Sequence, residues 1–188
     1  MQSLLKTPSL AHFAPWLRRV RAMAPYQLAP EIEQMIAERA PTGSAAWVRL
    51  FDETTTSMRF PFQGREVTEA EILDALSHQE ADVRAAAGQS LSTTLKSHER
   101  LLSLTLNTIA KDKQIEDGWR GFNRPVASRN LANDVDDEVV DALVAAVNGR
   151  NADLTHRYYQ LKAKWMGVKQ LNWWDRNAPL PGGDDRHF

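Results

Sequence analysis

The stretch that decides the predicted fold runs from Ala81 to Ala110 and reads ADVRAAAGQSLSTTLKSHERLLSLTLNTIA. Mostly apolar residues follow one another in it at steps of four and three: Val83, Ala87, Leu91, Leu95, His98, Leu102, Thr105 and Ile109. Such spacing over roughly 30 residues is typical of a long amphipathic helix that packs along another helix. The sequence therefore predicts a mainly α protein, a multi-helix array.

Shorter helices are predicted before this stretch. From Ser9 to Ala24, apolar side chains at helical spacing alternate with arginines, which predicts a first amphipathic helix. Pro30 is typical of a helix start and Pro41 of a helix stop, so a second helix is expected between them. Thr42 is expected to cap a third helix through its side-chain oxygen.

A small β-hairpin is predicted at residues 58–67, where the pattern changes to alternation around a central glycine. Pro61 cannot donate a backbone hydrogen bond, so its strand is expected at an edge. Thr68 and Glu71 have the spacing of a capping box, which predicts a helix start directly after the hairpin. The segment from Ser77 to Glu80 repeats that spacing and predicts another cap.

The chain after the long helix is predicted to form further helices. Gly118, Gly121 and Pro125 are expected to end the long helix in a loop. Asp136 is expected to cap the next helix, whose predicted buried face consists of Val139, Val140, Leu143, Val144 and Val147.

A helical break is predicted at residues 149–151, followed by a last helical stripe and a short strand. The stripe consists of Leu154, Tyr158, Leu161, Trp165 and Val168, and the strand spans residues 171–175. The predicted organisation is a helical amino-terminal lobe over residues 1–135, further helices over 136–181, and a tail over 182–188.

Composition excludes several classes of function. The net charge is -1, which gives no general attraction to nucleic acid or to anionic lipid. The absence of cysteine excludes disulfides, thiolate metal sites and a cysteine nucleophile. We therefore expect a cytoplasmic protein without nucleic-acid or membrane partners.

One segment imitates a zinc-peptidase motif. His98 and Glu99 begin the pattern His-Glu-x-x-His, in which two histidines one helical turn apart bind one metal ion. Leu102 stands where the second histidine would be. We therefore interpret His98 as a histidine of the helix seam or surface, and predict neither a metal site nor a catalytic residue.

The candidate substrate-binding residues are Arg120, Arg124 and Arg129, which lie among aromatic side chains. Planar guanidinium groups bind carboxylates well, so these arginines are candidates for contact with peptide termini. The alternative is a loop held by arginine bonds to backbone carbonyls and by stacking on rings. Trp173 and Trp174 likewise allow either a ligand platform or ordinary aromatic burial.

A series of residue blocks resembles oligoendopeptidase F of the M3 family. The blocks in chain order are Thr42-Gly43 to Trp47, Leu50-Phe51-Asp52-Glu53, Arg59-Phe60-Pro61, Ala110 to Asp117, Trp119-Arg120-Gly121-Phe122, Arg124-Pro125, Ser128 to Asn133, His156-Arg157-Tyr158-Tyr159, Leu161 to Trp165 and Trp174 to Pro179. The resemblance covers nearly everything from Ala14 to Pro181. The resemblance implies that the blocks correspond to the amino-terminal helical region of that family and the entry into its catalytic domain, whose first helices are expected over residues 136–181.

The resemblance implies a zinc metalloendopeptidase that hydrolyses short peptides inside a channel. In that family His-Glu-x-x-His and a further Glu hold the zinc ion, and no such motif occurs in the 188 residues. We therefore expect an amino-terminal fragment that walls the channel, binds no zinc and is inactive alone. A complementary catalytic chain is then the expected partner. The alternative is a non-catalytic helical module that binds a protein or a peptide.

Overall fold

The computed structural model describes residues 8–182 and confirms a mainly α fold with one small β-hairpin. The α-helices of the described residues are α1 (Ala14–Met23), α2 (Pro30–Arg39), α3 (Ser44–Ser57), α4 (Glu69–Ala75), α5 (Ala81–Arg120), α6 (Ala127–Ala132), α7 (Asp137–Asn151) and α8 (Arg157–Trp165). The strands are β1 (Phe60–Phe62) and β2 (Arg65–Val67). None of the helices described is long and apolar enough to span a membrane.

The described residues divide into two compact units. The first unit contains the residues up to Ala46 together with Thr108–Ala146, and the second contains Trp47–Asn107 together with the described residues from Val147 onward. Both units are discontinuous in sequence, because α3, α5 and α7 each contribute residues to both. The boundary predicted near residue 135 stays a prediction. Of the predicted tail, only Gly182 lies within the described residues.

The hairpin of the second unit forms at the predicted place. Phe60 pairs with Val67 and Phe62 with Arg65 in an antiparallel register. Gln63 and Gly64 form the turn with φ values of 50° and 80°, a conformation that glycine adopts at little cost. Helix α4 begins with the predicted capping box, in which the Thr68 N–H donates to Glu71 Oε2 at 2.8 Å.

The buried apolar core lies in the second unit, between the hairpin, α4 and the first half of α5. Its members are Met58, Phe60, Val67, Ile72, Leu76 and Ala87. Trp174 packs against this cluster, as do Leu91 and Leu102 of the predicted seam. Leu95 of the same seam is 38% exposed, so the structure covers only part of it. Each large apolar side chain that is fully buried contributes roughly 1.5–3 kcal/mol.

The long helix α5 ends as the glycines predict. Gly121 has a φ of 80°, the Phe122 N–H donates to the Asp117 carbonyl at 2.9 Å, and the Gly121 N–H donates to the Gly118 carbonyl at 3.3 Å. This pair of bonds is the Schellman arrangement, which satisfies carbonyl groups that a helix end leaves free. The end of α5 is therefore set by local sequence.

Three predictions about helix starts are wrong. The single helix predicted for residues 9–24 is a 3₁₀ segment followed by α1, because Pro15 lacks the N–H that a continuous α-helix would need. The Thr42 hydroxyl donates to the Arg39 carbonyl at 3.2 Å instead of capping α3. The Glu80 N–H donates to Nδ1 of His78 at 3.1 Å, so Ser77 does not repeat the capping box.

The break and the strand predicted near the end are also wrong. Helix α7 continues through Gly149, since one helical glycine costs only about 1 kcal/mol, and a π-helical turn (Ala152–His156) joins it to α8. A 3₁₀ turn (Trp173–Asp175) replaces the strand. It is fixed by a bond of 3.0 Å from the Asn172 N–H to Asp175 Oδ2.

The predicted buried face of α7 is exposed. No residue of α7 is buried, and Val139, Leu143, Val144 and Val147 are each more than half exposed. The last predicted stripe is exposed as well, with Leu154 of the π-helical turn at 63% and Trp165 of α8 at 49%. Periodicity shows which face of a helix is apolar, and only tertiary packing decides whether that face is covered. Nothing among the described residues covers these two faces.

Candidate functional site

The first predicted substrate-binding residue, Arg120, is engaged in the first unit at the end of α5. Its Nη1 and Nη2 atoms donate to the two carboxylate oxygens of Glu33 at 2.6 and 3.0 Å, and its Nε donates to Glu116 at 2.8 Å. Nη1 also donates to the Tyr26 carbonyl at 3.2 Å. Arg120 therefore binds carboxylates, but these belong to the chain itself.

The pairing of Arg120 sets the protonation of its partner. Hydrogen bonds from Arg120 and from the Leu28 N–H lower the pKa of Glu33 from 4.5 to about 2. The pKa of Arg120 is raised, first by the hydrogen bond to Glu33. Beside this pair, the rings of Tyr26 and Phe122 stack with centroids 4.1 Å apart. Ion pairs, one bond to a backbone carbonyl and the stacked rings together fix the loop that follows α5.

The second predicted residue, Arg124, is also paired. Its Nη1 and Nη2 atoms donate to the carboxylate of Asp141 at 3.0 and 2.6 Å, and Asp137 lies 3.2 Å away. The pKa of Arg124 is raised, first by the hydrogen bond to Asp141. This bidentate contact ties the loop to α7 and occupies the guanidinium group.

The third predicted residue, Arg129, differs from the other two. It is exposed on α6, and its side chain has no hydrogen bond or ion pair with any residue that the structure describes. A peptide carboxylate would reach Arg129 without displacing an acid of the chain, whereas it would have to displace one at Arg120 or Arg124. The contact of these arginines with peptides stays a prediction.

The residues present do not fit a zinc site. Within residues 8–182, no group of three or more His, Asp or Glu side chains is arranged to hold a metal ion. His98 is partly buried, and its Nδ1 lies 2.9 Å from the Thr94 carbonyl and 3.0 Å from the Ser97 hydroxyl. Both of these contacts lie within α5 itself.

A buried ion pair organises the second unit. Arg84 is 2% exposed, and its Nε and Nη2 atoms donate to Oδ1 of Asp175 at 3.1 and 2.9 Å. Its Nη1 donates to the carbonyls of His78 and Gln79 at 2.8 and 2.7 Å. One guanidinium group thus joins α5, the loop before it and the turn at residues 173–175.

A lysine lies next to this ion pair. Lys162 of α8 is buried, and its Nζ donates to the Arg176 carbonyl at 2.7 Å. Burial lowers the pKa of Lys162, and the positive charge of Arg84 lowers it further, while Asp175 opposes the change. The sequence gives no local signal for the pair of Arg84 and Asp175, which are 91 positions apart. The Asn172 to Asp175 capping spacing is the one signal that marks this turn.

A cavity of about 780 Å³ opens beside these residues in the second unit. Leu73, Leu91, Tyr159 and the two tryptophans Trp173 and Trp174 give it apolar walls. Its polar lining includes His156, Gln160, Lys169, Asn172, Arg176 and Asn177. The volume is in the usual range for a small-molecule site. Trp174 packs on the core, as aromatic burial predicts, whereas Trp173 is 51% exposed and the ligand platform stays a prediction.

Comparison with known proteins confirms the resemblance found in the residue blocks. The family model described as Oligopeptidase F matches residues 1–60. The chain is 25% identical over 183 residues to Group B oligopeptidase PepB of Streptococcus agalactiae serotype III (strain NEM316), covering 94% of this chain and 30% of that protein. It is 24% identical over 119 residues to the Oligoendopeptidase F homolog of Lactococcus lactis subsp. lactis (strain IL1403), covering 63% of this chain and 20% of that protein.

The fold is shared with a solved structure. Oligoendopeptidase-F from Enterococcus faecium superposes with a TM-score of 0.80 at 21% identity, over 95% of this chain and 36% of that one. The chain is therefore similar to the amino-terminal part of M3 oligoendopeptidases in sequence and in fold. It spans about a third or less of the length of the relatives that it matches.

Proposed function

We propose that this chain forms the amino-terminal helical part of an M3-type oligoendopeptidase and walls the channel in which the complete enzyme hydrolyses short peptides. The observation that carries the proposal is the match to an oligopeptidase over 94% of the chain. The shared helical fold supports it, because the match extends over both compact units.

Hydrolysis requires groups that the described residues do not supply. Zinc catalysis needs protein ligands at fixed geometry and a base that activates water. The zinc ion and its base are therefore assigned to a part of the enzyme outside residues 8–182. In this proposal the chain alone is inactive, and its contribution is to shape and restrict the channel.

The exposed apolar faces of α7 and α8 are where a catalytic chain would bind. A large exposed apolar patch on a folded protein commonly marks a surface that another chain covers. Leu143 and Leu154 are each 63% exposed, on α7 and in the π-helical turn respectively. A complementary chain of M3 type is the proposed partner, and short peptides are the proposed substrates of the assembly.

A cleavage assay with a quenched fluorescent peptide and zinc tests the proposal. The chain alone is expected to give no rate above a blank without protein, with a full-length M3 peptidase as positive control. Co-expression with a chain that carries His-Glu-x-x-His and the rest of such an enzyme is expected to restore cleavage that a chelator stops. Chelator-sensitive cleavage by the chain alone would overturn the assignment.

The second candidate function is a non-catalytic helical module that binds a peptide or protein. The cavity in the second unit favours it, because residues of this chain supply both the apolar and the polar parts of its lining. The two functions differ in the fate of the exposed helix faces. A monomeric chain that binds no hydrophobic dye and gains no activity from a catalytic chain would favour the module.

A further inference from the structure

The lining of the cavity in the second unit carries positive charge without a matching negative charge. Lys169 and Arg176 both line it, and none of its lining residues is an Asp or a Glu. Neither side chain has an ion pair or hydrogen bond with a described residue, in contrast to Arg84 with its buried carboxylate. Lys169 and Arg176 can therefore both donate charge-assisted hydrogen bonds to an anion in this cavity.

The buried groups beneath the cavity add to this imbalance. Arg84 and Lys162 are both buried there, and Asp175 is the one buried carboxylate of the described residues. Lys162 is joined to the cavity lining through its bond of 2.7 Å to the Arg176 carbonyl. Because burial already lowers the pKa of Lys162, an anion near Arg176 would relieve an unfavourable excess of positive charge.

The rest of the lining is apolar and aromatic. Trp173 and Tyr159 present rings to the cavity, and Leu73 and Leu91 give it aliphatic surface. Trp173 is half exposed, so its indole has free area for a ligand. An apolar body with one anionic group would match both parts of the lining.

We propose that this cavity binds a small carboxylate with an apolar body, with the carboxylate at Lys169 and Arg176 and the apolar part against Trp173 and Tyr159. Charged hydrogen bonds of this kind are stronger than neutral ones, and the guanidinium group suits a carboxylate. Such a ligand has two sources, the carboxyl-terminal residue of a peptide or a free monocarboxylic acid. The inference goes beyond the proposed function and does not depend on it.

Isothermal titration calorimetry on the full chain tests the inference with defined probes. The probes are N-acetyl-phenylalanine, its amide, and decanoate. We expect at least one acid to bind, and removal of the charge in the amide to weaken binding of the phenylalanine probe by about 10-fold or more. Binding of N-acetyl-phenylalanine points to a peptide terminus, and binding of decanoate alone points to a free aliphatic acid.

Two variants locate the carboxylate. Lys169→Gln and Arg176→Gln are each expected to weaken binding several-fold, while the matched control Lys164→Gln removes an exposed charge of α8 outside the cavity and leaves affinity unchanged. If circular dichroism shows that Arg176→Gln does not fold, the test rests on Lys169→Gln, which changes an exposed residue. Absence of binding by both acids, equal binding of the acid and amide, or an equal loss in the control would overturn the inference.

Discussion

Different interactions stabilise each of the two compact units. Every buried apolar residue of the described chain lies in the second unit, most of them in the cluster of Phe60 and Ile72. That unit also contains the buried pair of Arg84 and Asp175. The first unit has Asn130 as its one buried residue among those described and depends on partly exposed ion pairs such as Arg120 with Glu33. The comparison teaches that, among the residues described, the second unit alone has a buried apolar core.

The largest expected loss of stability follows from breaking the buried ion pair of the second unit. Asp175→Asn keeps the shape of the side chain but leaves Arg84 as an unpaired buried charge, which costs about 3–5 kcal/mol. Urea unfolding followed by circular dichroism measures the loss. The control Arg65→Gln removes a pair whose side chains are 65% and 45% exposed and is expected to cost less than about 1 kcal/mol. Equal losses would contradict the special role of the buried pair.

The next effect compares two glycines of the same helix. A Cβ added at Gly88 would lie 3.0 Å from a ring atom of Trp174, whereas one at Gly118 would meet nothing within 4 Å. We expect Gly88→Ala to destabilise the chain by about 1–3 kcal/mol through overpacking. Gly118→Ala is expected to stabilise it by up to about 1 kcal/mol through helix propensity. Thermal unfolding of both variants checks the sign of each change.

A smaller effect concerns the start of α4 in the second unit. Thr68→Ala removes the capping box with Glu71 and is expected to cost about 1 kcal/mol. Thr68→Ser retains the hydroxyl and is the matched control. The midpoint of urea unfolding should move for alanine and stay in place for serine. An equal shift in both would mean that the methyl group, and not the cap, stabilises the helix.

The smallest expected effect is a pH dependence of the first unit. The folded-state pKa of Glu33 lies below its ordinary value of 4.5, so its contribution to stability is present above about 4.5 and is lost as the pH falls toward about 2. Glu33→Gln should remove that acid-sensitive part of the unfolding free energy. Glu38→Gln on the same helix is the control. An acid profile that is identical in wild type and Glu33→Gln would show that the pair contributes nothing.

Several features of the fold that depend on neighbouring residues could be predicted from the sequence, although the caps expected at Thr42 and Ser77 do not form. The spacing around Leu91, the turn at Gly64 and the cap at Thr68 each use side chains a few positions apart, and the structure confirms all of them. The 3₁₀ turn at Trp173–Asp175 could not be predicted from the aromatic residues, because aromatic residues favour strands. The capping bonds between Asn172 and Asp175 set its backbone instead.

The cavity could not be predicted because its parts are distant in sequence. Leu73, Leu91 and Arg176 become neighbours only after the hairpin and α5 have packed. The exposure of α7 is a failure of a different kind. Its valines mark an apolar face correctly, but a pattern within one helix contains no information about what covers that face.

The π-helical turn at Ala152–His156 means that the segment joining α7 to α8 contains one residue more than a regular helix would accommodate. Since each residue turns an α-helix by about 100°, the extra residue rotates the side chains of α8 about the helix axis relative to those of α7. His156 and Tyr159 reach the cavity wall in this phase. A regular winding of the same residues would rotate both away from it, so the orientation of the wall depends on a single inserted position.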